Sequence, residues 1–382
     1  MTRRATSGRR RAADLVLVLN AGSSTLKVSL LARDGPEPIA AVTTTWGGDP
    51  VERAPGTITS VLERLGVDPE RLVGIGHRVV HGGPDLVRPV VIDDRTLAMM
   101  RSVVCLAPLH VLPSLAVIEA VSVALPGVAQ VACFDTAFHA SLPEISRRYP
   151  VPDDWTERLG IRRYGFHGLS VAWATGAAAG LLGMPRSRAR LVVAHLGAGS
   201  SVTAVDRGRS VDTSMGFTPL EGLMMATRSG SIDPGILITL ARDHGLALDA
   251  LDDALHHRSG LLGVGGSGDM VVLQARARAG DARARTAIAM YVDRAAAAIA
   301  GAATRLPALD AVVFTGGIGE HAVAVRGAIV RRLGVVGIPR ARDLAGPADR
   351  VLSARGAHPA VIHVTAREDL EIRGAVLALV GG

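Results

Sequence analysis

The chain has 382 residues, is 48% hydrophobic but 3% aromatic, holds 44 glycines and carries a formal net charge of +7. Its length suggests two or three domains with a large core, and its Ala, Val, Leu and Gly bias suits closely packed α/β layers. Arg3, Arg4, Arg9, Arg10 and Arg11 supply +5 of the charge. The body is therefore close to neutral, and without aromatic-basic interleaving it offers no nucleic-acid site.

Residues 1–13 read as a disordered basic tail. Leu15 to Leu19 is too short for the apolar part of a secretion signal, and no cleavage site follows. No run approaches the roughly 18 apolar residues of a membrane span. Cys105 and Cys133 both lie in apolar contexts and read as reduced core thiols, placing the protein in the cytoplasm.

Leu15 to Leu19 reads as a strand running into the turn Asn20-Ala21-Gly22-Ser23-Ser24-Thr25-Leu26-Lys27. Lys27 is the one lysine among 42 basic residues. A strand, a small-residue turn and a compact ammonium are how backbone N–H groups and charge are brought to a phosphate. Val73 to Val80 is the next strand, with Gly76-His77-Arg78-Val79-Val80-His81-Gly82-Gly83 across its end. Strand spacing argues against His77 and His81 as a helical metal pair, and leaves Arg78 as the candidate among glycines. Asp94 to Ala124 is mostly helical, interrupted by Pro108 and Pro113, and Gln130 to Phe134 is a strand ending in Asp135-Thr136-Ala137-Phe138-His139.

A domain boundary falls near Pro150 to Gly160, giving domains 14–155 and 156–382 with a cleft between them; the last helix can return to the first domain. Tyr164-Gly165-Phe166-His167-Gly168 precedes a helix over Val171 to Leu182. Leu191 to Ala194, with His195-Leu196, is a strand running into Ala198-Gly199-Ser200-Ser201. This turn echoes Ala21-Gly22-Ser23-Ser24 at an offset of 177 residues, the mark of two related α/β halves.

Ile236 to Asp243 and Ala282 to Arg305 read as helices. Ala311 to Phe314 is a buried strand entering Thr315-Gly316-Gly317-Ile318-Gly319-Glu320, and Val361 to Val364 precedes Thr365-Ala366-Arg367-Glu368-Asp369. Arg228 stands among small residues in Ala226-Thr227-Arg228-Ser229-Gly230.

Asp135 and His167, each taken alone, would more often be structural than catalytic. Together the arginines, histidine, carboxylates, lysine and glycine turns form the set that phosphoryl transfer needs. Cations neutralise the equatorial oxygens of the transition state, carboxylates hold Mg²⁺, and glycine turns admit a nucleotide. A P-loop is excluded because the lysine follows leucine. Gly263-Val264-Gly265-Gly266-Ser267-Gly268 matches a dinucleotide fingerprint, but no strand clearly precedes it.

These residues resemble the acetate kinase (acetokinase) family. The resemblance runs in order through Asn20 to Lys27, Gly76 to Gly83, Leu106 to His110, Phe134 to His139, Arg163 to Gly168, His195 to Ser201, Asp212 to Asp233, Phe314 to Glu320 and Glu368 to Ile372. It implies an α/β fold of two similar domains of the sugar-kinase, Hsp70 and actin (ribonuclease H-like) type with a central cleft. It also implies ATP/ADP, Mg²⁺ (or Mn²⁺), acetate with acetyl phosphate, and a homodimer.

Carried over by position, the resemblance makes Asn20 and Glu368 metal ligands and gives Lys27 the nucleotide phosphates. Arg78 would bind the carboxylate, Asp135 would be the catalytic acid, and His167 and Arg228 would meet the phosphoryl group in flight. His195, Gly197, Gly199, Asp269, Met270, Val271, Gly317, Ile318, Gly319 and His321 would form the ATP site, and Val80, Leu109, Phe166 and Pro219 the methyl pocket. The chain departs from the family pattern at Ala198, Val111 to Ser114, Leu169 to Val171, and Ala366-Arg367. Propionate or butyrate kinase, or a catalytically weak nucleotide-binding homologue, are the alternative expectations.

Overall fold

The structure, a computed structural model, describes residues 14–22, 25–342 and 348–382. The expected tail over 1–13, and Ser23 and Ser24 of the first glycine turn, lie outside the described residues. Two compact units are present: the described residues up to Phe134 with Asp369–Gly382, and Asp135–Glu368. The boundary expected at 155 and 156 falls inside the second unit, and from Asp369 onward the helix Glu368–Val380 belongs to the first.

The first unit holds β1 (Leu15–Ala21), β2 (Thr25–Ala32), β3 (Pro38–Thr45), β4 (Leu72–Val79), β5 (Val90–Val91) and β6 (Gln130–Phe134), in the sheet order β3-β2-β1-β4-β6-β5. β1 pairs antiparallel with β2 and parallel with β4, and β4 pairs parallel with β6. Period-two alternation sends Leu15, Leu17, Leu19 and Ala21 to one face, against Ala54, Ile58 and Val61 of the helix Pro50–Leu65 and Val117 and Val121 of the helix Pro108–Ala124. On β4, Gly74 and Gly76 alternate with Ile75 and leave room for a close helix. A Cβ on Gly76 would stand 2.2 Å from Ile372 Cγ2, and one on Gly74 would stand 2.9 Å from Val376 Cγ1. The missing side chains let the helix Glu368–Val380 lie on the strand. Its residues run from Val380 over Gly74 to Ile372 over Gly76, so its early turns lead toward the Arg78 end of β4.

The second unit repeats this plan with β7 (Arg190–Leu196), β8 (Ser200–Asp206), β9 (Arg209–Thr213), β10 (Ala311–Thr315), β11 (Arg350–Val351) and β12 (Ala360–His363). The order β9-β8-β7-β10-β12-β11 matches the first sheet strand for strand, with the same parallel and antiparallel pairings. The echo between the glycine turns is therefore a duplicated topology. Val192, Ala194 and Leu196 pack against Ala287, Tyr291 and Ile299 of the helix Ala282–Ala303. Leu191 and Val193 pack against Val171, Ala174 and Ala178 of the helix Gly168–Leu181. A sheet covered on both faces explains why its strands read as unbroken apolar runs.

One expectation changes. Cys105 lies exposed in the short turn Val104–Leu106, whereas Cys133 is buried and burial pushes its thiol up. The apolar neighbours of Cys105 in sequence turn inward while the thiol does not. The glycines over 263–268 belong to the helix Gly260–Gly265 and its end, where Gly265 gives room to Leu273 and Ala287, so they are helix-packing glycines. His77 and His81 are structural, as expected: His77 Nε2 donates to Gln130 Oε1 at 2.7 Å, and the Gly83 N–H donates to His81 Nδ1 at 2.8 Å. Among the described residues no helix is long and apolar enough to cross a membrane.

Gly76→Ala should lower the stability of the first unit by about 1–3 kcal/mol, because the added methyl overlaps buried Ile372. Thermal or urea unfolding measures this, and a melting temperature equal to wild type would show that the helix and strand separate at no cost.

Candidate active site

In the first unit the ladder aligns three polar residues on one face. Asn20 of β1 is opposite Lys27 of β2 and Arg78 of β4. Arg78 Nη1 donates to Asn20 Oδ1 at 3.0 Å, which fixes the guanidinium beside the amide, while Lys27 is exposed. Val80, two residues after Arg78, is buried. The helix Pro108–Ala124 reaches the strand through Ser114, whose hydroxyl donates to the Arg78 carbonyl at 3.4 Å. Leu109, at the start of that helix, is 46% exposed.

In the second unit the site grows from the turn before the helix Gly168–Leu181. The Gly168 N–H donates to the Asp135 carbonyl at 2.9 Å, and a Cβ on Gly168 would stand 2.1 Å from that oxygen, so the approach requires glycine. This contact locks the Asp135 turn to His167, and Asp135 itself is fully buried. His167 has φ of 60°, a left-handed conformation that costs a side chain about 1–2 kcal/mol. Two contacts hold it there: Nδ1 hydrogen-bonds with Ser201 Oγ at 3.0 Å, and its ring stacks on His195 with centroids 4.2 Å apart. His195 Nδ1 in turn bonds Ser170 Oγ at 2.8 Å.

The glycine turn after β7 lies against these rings. A Cβ at Gly199 would be 3.2 Å from His167 Nε2 and 3.4 Å from Arg228 Nη2, so imidazole and guanidinium flank the same stretch of backbone. Arg228 Nη1 donates to the Pro219 carbonyl at 2.8 Å, which ties the expected pocket residue to the expected cation. Gly197 lies beside the next glycine turn, its added Cβ 3.8 Å from the Gly317 nitrogen, and nothing stands within 4 Å of an added Cβ at Gly317. Between them these two turns leave open backbone of the kind a polyphosphate can approach.

Of the other expected nucleotide residues, Asp269 caps the helix Met270–Arg278 by accepting the Val271 N–H at 2.7 Å. Met270 is buried in the core, Val271 is 72% exposed, Ile318 is partly buried and His321 is exposed. The Ala226 N–H donates to the Ala198 carbonyl at 3.0 Å, and Gly268 packs on Ala226, so this segment also joins the turn.

Several supports escaped sequence reading. Ser170 and Ser201 orient the two histidines. Half-buried Tyr149 and Arg163 both bond Glu221, and Arg163 also donates to the Ser214 and Met215 carbonyls, holding the loop that carries Phe217 to Pro219. Hydroxyls in strands and helices carry no local signal of such roles. His139 is buried; its Nε2–H donates to the Phe166 carbonyl at 2.9 Å while Nδ1 accepts from Ser210 Oγ at 2.8 Å. Burial lowers its pKa to about 4, so it is neutral near pH 7 and keeps this tautomer. Its carbonyl partner directly precedes His167.

Residues 51–373 match the model of the acetokinase family. Acetate kinase of Deinococcus deserti is 43% identical over 94% of this chain and 96% of its own length. Propionate kinase of Klebsiella pneumoniae is 42% identical over 85% of both. The solved acetate kinase of Porphyromonas gingivalis is similar with a TM-score of 0.87 at 31% identity, covering 96% of this chain and 100% of that one. The solved propionate kinase of Francisella tularensis gives 0.88 at 32%, with the same coverage.

His139 binds protons more weakly folded than unfolded, so stability should fall as pH drops from 6.5 toward 4, by up to about 3 kcal/mol from this group. His77, lowered to about 4 by burial, adds a second such contribution. Urea midpoints across that window should decline less steeply in His139→Asn, and an identical slope would remove His139 from the effect.

Proposed function

The chain belongs to the acetokinase family, and we propose that it phosphorylates acetate with ATP, reversibly, giving acetyl phosphate and ADP, through the residues assembled above. The observation that carries the residue assignment is His167: strained, stacked on His195 and set with Arg228 around the Gly199 backbone. Strain is retained where geometry matters to chemistry. Two cationic or hydrogen-bonding groups around a bare glycine turn suit a phosphoryl group losing one oxygen partner and gaining another.

In the forward direction an acetate oxygen attacks the γ-phosphorus, the new P–O bond forms, and the bond to ADP breaks with its electrons left on ADP. No net proton is needed. Arg78, fixed by Asn20, binds the carboxylate and turns one oxygen toward phosphorus. Lys27 takes the nucleotide phosphates as a point charge. His167 and Arg228 stabilise the equatorial oxygens, and Asp135, as a carboxylic acid, donates a hydrogen bond to a reacting oxygen. Gly197, Gly199 and Gly317 admit the phosphates, and His195 holds His167 in place.

Mg²⁺ fits the donor set. Asn20 offers an amide oxygen and Glu368 a carboxylate, both hard ligands, and the described residues hold no group of three His, Cys, Asp or Glu that would cage an ion. An ion carried mainly by water and phosphate oxygens matches that arrangement, and when bound it neutralises phosphate charge. Ala198 and Ala366 present backbone groups, the Ala198 carbonyl to Ala226 and the Ala366 N–H to Glu320, so these departures from the family pattern keep main-chain contacts. The helix Pro234–His244 buries none of its residues, and Ile236 and Ile238 are 47% and 58% exposed; this supports a homodimer, and we assign the protein to the cytoplasm.

A hydroxamate trap with ATP, Mg²⁺ and acetate tests the reaction. Arg78→Ala and Arg228→Ala should each lower turnover roughly 10²–10³-fold while melting near wild type. A folded variant with wild-type turnover would remove that arginine from the chemistry.

The propionate kinases among the similar proteins keep a second substrate in view. Buried Val80 is the wall we assign against longer acids. Acetate should be preferred over propionate by roughly tenfold in kcat/KM, the range an apolar pocket supplies for one methylene. Val80→Ala should narrow the gap by improving propionate. A wild-type preference for propionate would sink the acetate assignment and leave the phosphoryl transfer standing.

A further inference from the structure

β10 and β12 are neighbouring parallel strands, so the loops leaving their ends are neighbours too. One runs through the glycines Gly316 to Gly319, and the other through Thr365 and Ala366 to Glu368. Glu320 is buried, and its Oε1 accepts the Gly316 N–H at 3.0 Å and the Ala366 N–H at 3.0 Å. One carboxylate oxygen thus binds a backbone group from each loop.

Both loops have further anchors. Buried Arg326 donates from Nη1 to the carbonyls of Gly319 at 2.6 Å and Glu320 at 3.1 Å, closing the first loop on itself. Asp349 accepts the Thr365 N–H at 2.8 Å, and Trp173 Nε1 donates to the Thr365 carbonyl at 3.0 Å. The Ala366 N–H, two residues before Glu368, goes to Glu320.

We propose that Glu320 is a positioning residue that sets the spacing between the glycine turn at Gly316–Gly319 and the Glu368 carboxylate, so that nucleotide phosphates and divalent cation bind as one unit. This rests on the reading of Glu368 as a metal ligand. Groups behind a metal ligand orient it, and their loss commonly costs about tenfold or more in metal affinity.

Three variants and two measurements test it. Glu320→Ala removes both bonds. Glu320→Gln keeps an acceptor oxygen at the same reach. Glu320→Asp is one methylene shorter and serves if the alanine variant does not fold. Mn²⁺ affinity of the enzyme–ADP complex, read from the paramagnetic resonance signal of free Mn²⁺, should weaken about tenfold or more in Glu320→Ala and stay within about twofold of wild type in Glu320→Gln. The KM for acetate should not move. Amide exchange should rise in both segments, 316–320 and 364–367, in Glu320→Ala and in neither for Glu320→Gln.

Because Glu320 acts through Glu368, adding Glu320→Ala to Glu368→Gln should weaken Mn²⁺ binding little further; additive losses would overturn the proposal. Equal losses in the alanine and glutamine variants would overturn it too, since the effect would then be charge. If Glu368→Gln alone leaves Mn²⁺ affinity intact, the metal assignment of Glu368 fails; amide exchange then still decides whether Glu320 joins the loops, and unchanged exchange in Glu320→Ala would end the proposal.

Discussion

The register of one strand against its two neighbours governs the chemistry in each unit. Asn20 is the penultimate residue of β1 and faces Lys27 and Arg78 across the ladder. His195 is the penultimate residue of β7 and faces Ser201 and Thr315 in the same way. Side chains alternate with period two, so a slip of one residue would turn each of these groups to the opposite face. The alternation that buries Leu15, Leu17 and Leu19 is what holds Asn20 on the other face. Core packing therefore specifies the polar row as firmly as it specifies the core.

The two rows show what became of the duplication. At matching ladder positions the first unit has an amide, an ammonium and a guanidinium, and the second an imidazole and two hydroxyls. The charged row suits a carboxylate and phosphate charge. The second row carries His195, which stacks on His167, and lies beside the open glycine turn. Similar backbones thus support unlike chemistry, because backbone hydrogen bonds define a strand end and leave its side chains free to differ.

Small residues do much of the structural work. A chain with 3% aromatic residues cannot fill its interior with large rings. It instead brings backbones close, through Gly74 and Gly76 under Ile372 and Val376, and through Ala174 and Ala178 against the second sheet. Close packing leaves little space for water, so a buried polar group is satisfied by partners inside the protein where it is satisfied at all. His139 between Phe166 and Ser210, and Glu320 between two amides, are of this kind. Each fixes backbone next to a residue assigned to the reaction.

Most of the strands and long helices are legible in the chain itself. Gln130–Phe134 coincides with its apolar run, and the helix Ala282–Ala303 ends two residues short of expectation, because apolar periodicity reports burial directly. The paired glycine turns, and the candidates Lys27, Arg78, His167 and Arg228, were visible for the same local reason: small residues frame a charge. The exposure of Cys105, the capping duty of Asp269, the burial of Met270 and the hydroxyl supports Ser170 and Ser201 were not. Each depends on which segments meet in space, and partners such as His167 and Ser201 stand 34 residues apart. Local pattern records the periodicity of a segment. The hydrogen bonds that aim a side chain exist once distant segments have closed around it.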